Sequence, residues 1–310
     1  MKGLVFAGCS FTWGQGLYYY SGLESLKEPP PDTYDANLVR SAHIKYAATL
    51  RYPRLVSNYF NTFEVVSNQN GGSEETSMNF LSQLFGLESG FGHLTTDSLC
   101  YNEVEYIILQ TSNPVRNPFF YTHKGQKNKF LTYEQSTKAN FYEWLIEEKH
   151  YSLDNWLEEH EKDWINKVKN TLKFYEDKGI KTLILCWEDN YLQLIKDDIW
   201  LYNRFIPLEY NNKIYDCIRY MMNENSELTI NSDYDHFENP PKDHHPSLKC
   251  HRVMAKNIIN RINRDLSNYD LANNPNENII NDNDDYENNY GTRNYIVNRE
   301  YKEIIQKKLL

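Results

Sequence analysis

The strongest constraint on this chain is the recurrence of short apolar runs separated by stretches of helical periodicity. LVFAG at the start, EVVSN at 64–68, EYIILQTS at 105–112 and KTLILCW at 181–187 read as strands. Between them TSMNFLSQLFGL reads as a helix. Residues 152–177 carry Leu153, Trp156, Leu157, Trp164, Ile165, Val168, Leu172 and Tyr175 at helical spacing until Gly179 ends the run. This β, α, β, α order predicts an α/β fold, a parallel sheet with helices on both faces whose post-strand loops meet at one edge.

The first run breaks at Gly8 and delivers Ser10 into a turn bracketed by Gly8, Gly14 and Gly16. A buried strand that stops at glycine holds the next hydroxyl at the carboxyl edge of the sheet, where open α/β folds place their ligands. Ser10 is therefore a candidate nucleophile, which needs a base, a group to orient that base, and donors for an oxyanion. Far along the chain, PPKDHHPSLKCHRVMAKNIINRI places Asp243 and His245 just ahead of Leu248, Val253, Ala255, Ile258, Ile259 and Ile262 at helical spacing. On that loop Asp243 can bond one imidazole nitrogen of His245 and leave the other facing Ser10. Read alone, the same loop is a polar lead-in with Ser247 as helix cap. Cys9 is a rival nucleophile. Strand alternation would turn it to the face opposite Ser10, as a small buried apolar residue.

GCSFTWG resembles the first block of the SGNH, or GDSL-type, hydrolase superfamily, whose pattern G-D-S-x-T-x-G is met at Gly8, Ser10, Thr12 and Gly14. DHHPS followed by His251 resembles its last block, where a histidine followed by proline or leucine is the catalytic base. VVSNQNGGSEE resembles the second block, in which a glycine amide joins the oxyanion hole; Gly72 matches it, with Gly71 its neighbour. YIILQTSNPVR resembles the third, whose asparagine is a further oxyanion donor, and Asn113 is the nearest match. The resemblance spans roughly residues 1–266 and implies a three-layer α/β/α sandwich. It also implies a serine esterase or acyl hydrolase with Ser10, His245 and Asp243 as the triad. Its oxyanion hole would comprise Ser10, Gly72 and Asn113, with no metal and no organic cofactor.

Three departures accompany it. Cys9 stands where the family has aspartate; Asp243 lies two residues before His245 rather than three, with Lys242 in the usual place and Asp235 in reserve; and the third block lacks G-x-N-D, so Gln110, Thr111 and Ser112 compete with Asn113. The substrate expected is an O-acyl group on a carbohydrate or other small polar ester. The alternatives are an O-acyltransferase using the same triad, or a non-catalytic structural or binding protein on the same scaffold. GCSFTWGQGL with its Tyr-rich continuation is similar to SGNH-like proteins of tailed bacteriophages, which implies a virion-associated or host-surface role for the latter.

The chain of 310 residues accommodates one such catalytic domain, at 1–266, followed by a polar extension at 267–310. That extension is rich in Asn, Asp and Glu and ends in REYKEIIQKKLL, an amphipathic helix suited to a partner, a second subunit or its own domain. With 33 Lys and Arg against 43 Asp and Glu, the net charge of −10 argues against nucleic acid as partner. No run approaches the roughly 18 apolar residues of a membrane span, and no signal-peptide pattern opens the chain, so no membrane and a cytoplasmic setting are expected. Five cysteines without a C-x-x-C pair read as reduced thiols. A metal cluster of His236, Asp243, His244, His245 and His251 is disfavoured because His244 and His245 are adjacent and point apart. Two aromatic insertions, at about 18–58 and 114–151, leave the presumed active edge as a cap, as surface elaboration or as an oligomer contact. Arg116, in the second, is a candidate to face an anionic substrate.

Overall fold

The computed structural model describes residues 1–21, 49–67, 73–86, 99–113, 116–117, 119–130, 135–150, 152–189 and 191–266. The middle of the first insertion, Gly72 with its neighbour Gly71, and the extension at 267–310 lie outside the described residues.

The chain opens with β1 (Gly3–Ala7) and the single turn α1 (Ser10–Trp13), then continues through α2 (Tyr52–Tyr59), β2 (Glu64–Val66), α3 (Glu74–Leu84) and β3 (Val104–Thr111). An antiparallel hairpin of β4 (Phe119–His123) and β5 (Gln126–Phe130) follows, then α4 (Gln135–Trp144), a π-helical turn (Leu145–Lys149) and the long α5 (Leu153–Asp177). After β6 (Lys181–Cys186) come α6 (Leu192–Asp197), α7 (Ile199–Tyr202), a small hairpin of β7 (Leu208–Tyr210) and β8 (Lys213–Tyr215), α8 (Ile218–Glu224) and finally α9 (Leu248–Leu266).

Four strands form one parallel sheet in the order β2-β1-β3-β6, with Val5 opposite both Val65 and Ile107, and Ile107 opposite Thr182. Its strands are nearly continuous apolar runs because both faces are covered. Period-two alternation sends Leu4, Phe6, Tyr106, Ile108, Leu183 and Leu185 into one core with α2 and α9. Val5, Ala7, Ile107, Leu109, Ile184 and Cys186 enter the other, with α3 and α5. Connectivity explains the split. The chain runs from β1 outward to β2, then back across to β3 on the other side of β1. A constant crossover hand turns that reversal into helices on opposite faces. The carboxyl ends of β1 and β3 thus form the topological switch point, where such sheets bind ligands.

The described parts of both insertions carry buried side chains. The first ends in RYPRL, which is core: Tyr52, Val56 and Tyr59 are buried under the sheet. Beside them Arg54 Nε meets Glu64 Oε1 at 2.8 Å, with Arg51 Nη2 at 3.8 Å, all three side chains buried. A parallel β1–β2 pair needs a crossover helix, and α2 supplies it. The second insertion builds its own small core from Tyr121, Phe141, Trp144, Leu145 and Trp156, the last carried on α5. Among the described residues no helix is long and apolar enough to cross a membrane.

His251 ties α9 to α2. Its Nδ1 accepts from the Tyr52 amide at 3.2 Å, and its ring stacks on that of Tyr52. Burial, aided by the charges of His245 and Arg51, drives its pKa from 6.5 down to about 3. The native imidazole therefore stays neutral while the unfolded one takes up a proton below about 6.5, so stability is complete above that pH and falls as pH drops toward 3. The loss should approach about 1.4 kcal/mol per pH unit in that window. Between pH 7 and pH 5, urea unfolding should show wild type losing roughly 2 kcal/mol more than His251→Gln. An equal decrease in the variant would contradict this account.

Candidate active site

Ser10 sits at the first position of α1, just beyond the carboxyl end of β1. Gly8 is required there by close approach: a Cβ at this position would lie 2.1 Å from Thr12 Oγ1 and 2.9 Å from Gln110 Cβ. The Gly8 amide donates to Ser67 Oγ at 3.0 Å, and that hydroxyl donates back to the Gly8 carbonyl at 2.8 Å. Thr12 Oγ1 donates to Gln110 Oε1 at 2.7 Å and meets the Tyr52 hydroxyl at 2.9 Å. Gly14, at φ 85°, closes the turn by donating its amide to the Ser10 carbonyl. The turn bearing Ser10 is thus bonded to the ends of β2 and β3 and to α2.

The opposing loop is zipped onto residues 228–231. Ile230 N donates to His245 O, Asn231 N to Asp243 O, and Ser247 N to Leu228 O. Ser247 Oγ donates to the Glu227 carbonyl and accepts from Cys250 N at 3.3 Å, so it also caps α9. Tyr20 hydroxyl accepts from Leu248 N at 3.1 Å and donates to Asp233 Oδ2 at 2.5 Å, joining this loop to the N-terminal segment.

These two anchored segments meet. Ser10 Oγ lies 3.1 Å from His245 Nε2, and His245 Nδ1 lies 2.6 Å from Asp243 Oδ1, which also accepts the His245 backbone amide at 2.9 Å. With Asp243 ionised, Nδ1 carries the proton and Nε2 presents its lone pair to the serine hydroxyl. Burial of Asp243 works against its charge, but hydrogen bonds and the charge of His245 outweigh it and hold the carboxyl below its usual range. The His245 ring packs at 5.0 Å from Phe11, which stacks on Trp187 at 3.6 Å. Side chains of Ser10, His245 and Asp243 are largely buried, with His245 at 22% exposure the most open. A base that is oriented, part-exposed and bonded to a hydroxyl is the arrangement that activates a nucleophile.

The remaining expected residues scatter. Asn113 follows β3, but its side-chain amide donates to Glu188 Oε2 at 2.7 Å. Gln110 is spent on Thr12 and on Cys9 Sγ, to which Nε2 donates at 3.1 Å. Asp235 is exposed, and His236 pairs with Asp233. His244 bonds Asn231, away from His245 and the buried His251. Cys9 is 1% exposed, and burial pushes its thiol pKa up, against the thiolate a cysteine nucleophile needs. Strand alternation does not reach it, because β1 ends at Ala7, and its side chain lies in the core with Phe6 and Phe11.

Glu74 is a residue the sequence did not single out. It is buried at the start of α3, accepts from Ser112 N and, at 2.8 Å, from Asn117 Nδ2, and burial raises its pKa. It thereby ties the loop after β3 to α3. Its only signal was position, directly after the capping Ser73. Arg116 lies in the loop after β3, its amide bonded to the Asn113 carbonyl, and its charge favours the ionised forms of Glu74 and Cys9. Compared with protein-family models, curated proteins and solved structures, the chain matches none.

Gly16 supports the acid directly. At φ 87°, a Cβ there would lie 3.0 Å from Asp243 Oδ2 and 2.4 Å from Ile230 Cδ1. Gly16→Ala should therefore cost about 1–3 kcal/mol in thermal or urea unfolding. It should also displace the Asp243 carboxylate, read as a changed chemical shift of the His245 Nδ1 proton by NMR. An unaltered shift together with wild-type stability would count against this packing.

Proposed function

We propose that this chain is a serine hydrolase of SGNH, or GDSL, type that removes an O-acyl group from a carbohydrate or another small polar ester. The single observation carrying the reading is the continuous relay from Ser10 Oγ to His245 Nε2 at 3.1 Å and from His245 Nδ1 to Asp243 Oδ1 at 2.6 Å. The four-stranded parallel sheet with helices on both faces, and Ser10 at its switch point, supports the three-layer arrangement of that superfamily.

In this mechanism Ser10 Oγ attacks the ester carbonyl while its proton passes to His245 Nε2. Asp243 holds the resulting imidazolium through Nδ1–H and keeps the ring in its tautomer. The carbonyl oxygen becomes an oxyanion facing the Ser10 amide, which at the first position of a helical turn has no intrahelical acceptor. Gly72 and Asn113 join it by the resemblance; for Asn113 this requires the second amide proton or release from Glu188. The imidazolium then protonates the departing alkoxide and the alcohol leaves. Water, deprotonated by the same His245, attacks the acyl-serine and releases the acid and the free hydroxyl of Ser10.

Turnover of p-nitrophenyl acetate should fall to the buffer rate in Ser10→Ala. In Asp243→Asn, kcat should fall by about 10³–10⁴ with little change in KM, because the acid orients the base without touching substrate. Undiminished turnover in Ser10→Ala would refute the proposal.

A further inference from the structure

A second cluster of chemistry-bearing side chains lies in the second insertion and shares no residue with the Ser10 relay. His123 ends β4 and faces inward, in step with Tyr121, beside the aromatic core of the insertion. Its side chain is 6% exposed. Across from it, α4 runs into the π-helical turn Leu145–Lys149, bringing Glu143, Glu147 and Glu148 to the same end of the helix. π-Helical turns are rare and concentrate at functional sites.

His123 Nδ1 and Glu148 Oε1 are 2.9 Å apart, so the carboxylate accepts the Nδ1 proton and fixes the tautomer. The lone pair of Nε2 is left buried without a hydrogen bond, 3.6 Å from Glu143 Oε2. Two electron-rich atoms facing each other at that separation call for a cation between them. Ligand atoms of His123, Glu143 and Glu147 all lie within 4.8 Å of one another. Zinc bonds of about 2.1 Å at tetrahedral angles separate neighbouring ligand atoms by about 3.4 Å, so the His123–Glu143 pair is already at that spacing. A carboxylate holding the far nitrogen of a ligating histidine is the usual outer partner of such sites.

We propose that His123, Glu143 and Glu147 bind a divalent transition-metal ion, Zn²⁺ by ligand preference, with Glu148 orienting the imidazole. One nitrogen and two carboxylate ligands leave a fourth position for water. The ion fastens the β4–β5 hairpin to the end of α4. Lys124 is its competitor: Nζ lies 2.6 Å from Glu143 Oε1 and 3.6 Å from Glu147 Oε2, on a side chain 60% exposed that is free to swing into solvent when the ion enters.

Calorimetric titration of the full chain with ZnCl₂, paired with competition against a chromophoric chelator, tests this. Wild type should bind one ion whose affinity falls at least tenfold in His123→Ala and in Glu147→Gln, and rises in Lys124→Ala. Glu147 is half-exposed, so its variant keeps the test valid should the buried histidine prove necessary for folding. Absence of binding at 100 µM Zn²⁺, or equal affinity in wild type and Glu147→Gln, would overturn the proposal. So would weaker binding in Lys124→Ala. Any of these would leave His123 as a packing residue held by Glu148 alone.

Discussion

The contact on which the rest depends is the hydrogen bond between Ser10 and His245, groups separated by 235 positions in the chain. One such bond contributes only about 1 kcal/mol and cannot assemble the site by itself. Its geometry is inherited from the two segments that carry it. β1 lies inside the sheet, bonded to β2 and β3, and the turn after it is fixed through Ser67, Gln110 and Tyr52. The loop bearing His245 is paired with residues 228–231 and capped onto α9, itself packed against α2.

This division of labour is a form of preorganisation. The relay residues are held by backbone pairing and close packing rather than by one another, so the base meets the hydroxyl without a search through rotamers. Asp243 illustrates it: one oxygen accepts both the ring and the amide of His245, while the absence of a side chain at Gly16 leaves room for the other. Phe11, backed by Trp187, packs an apolar ring against the imidazole, which strengthens the electrostatic pull of the carboxylate.

Much of this was legible in the sequence, for physical reasons. Parallel strands buried on both faces announce themselves as apolar runs, and the four runs correspond to β1, β2, β3 and β6. Ser10, Asp243 and His245 could be picked out because glycines and a following amphipathic helix fix where such loops must lie. Less visible was α2, whose Arg51 and Arg54 disguise a core helix by pairing with the buried Glu64. The β4–β5 hairpin was hidden in FFYTHKGQKNKF, where polar residues dominate one strand. The expected oxyanion donors Asn113 and Gln110 were the hardest to read, since a side-chain amide finds its partner only in three dimensions. The same holds for Glu74 and His123, whose partners come from other elements.

The central claim is that the hydroxyl of Ser10 is made nucleophilic by His245. Treatment of the intact protein with a fluorophosphonate, followed by peptide mass spectrometry, reads that property without knowledge of the natural ester. The account predicts a single covalent phosphonyl adduct on Ser10 that disappears when His245 is replaced by alanine. An unmodified Ser10, or labelling that survives the loss of His245, would contradict it.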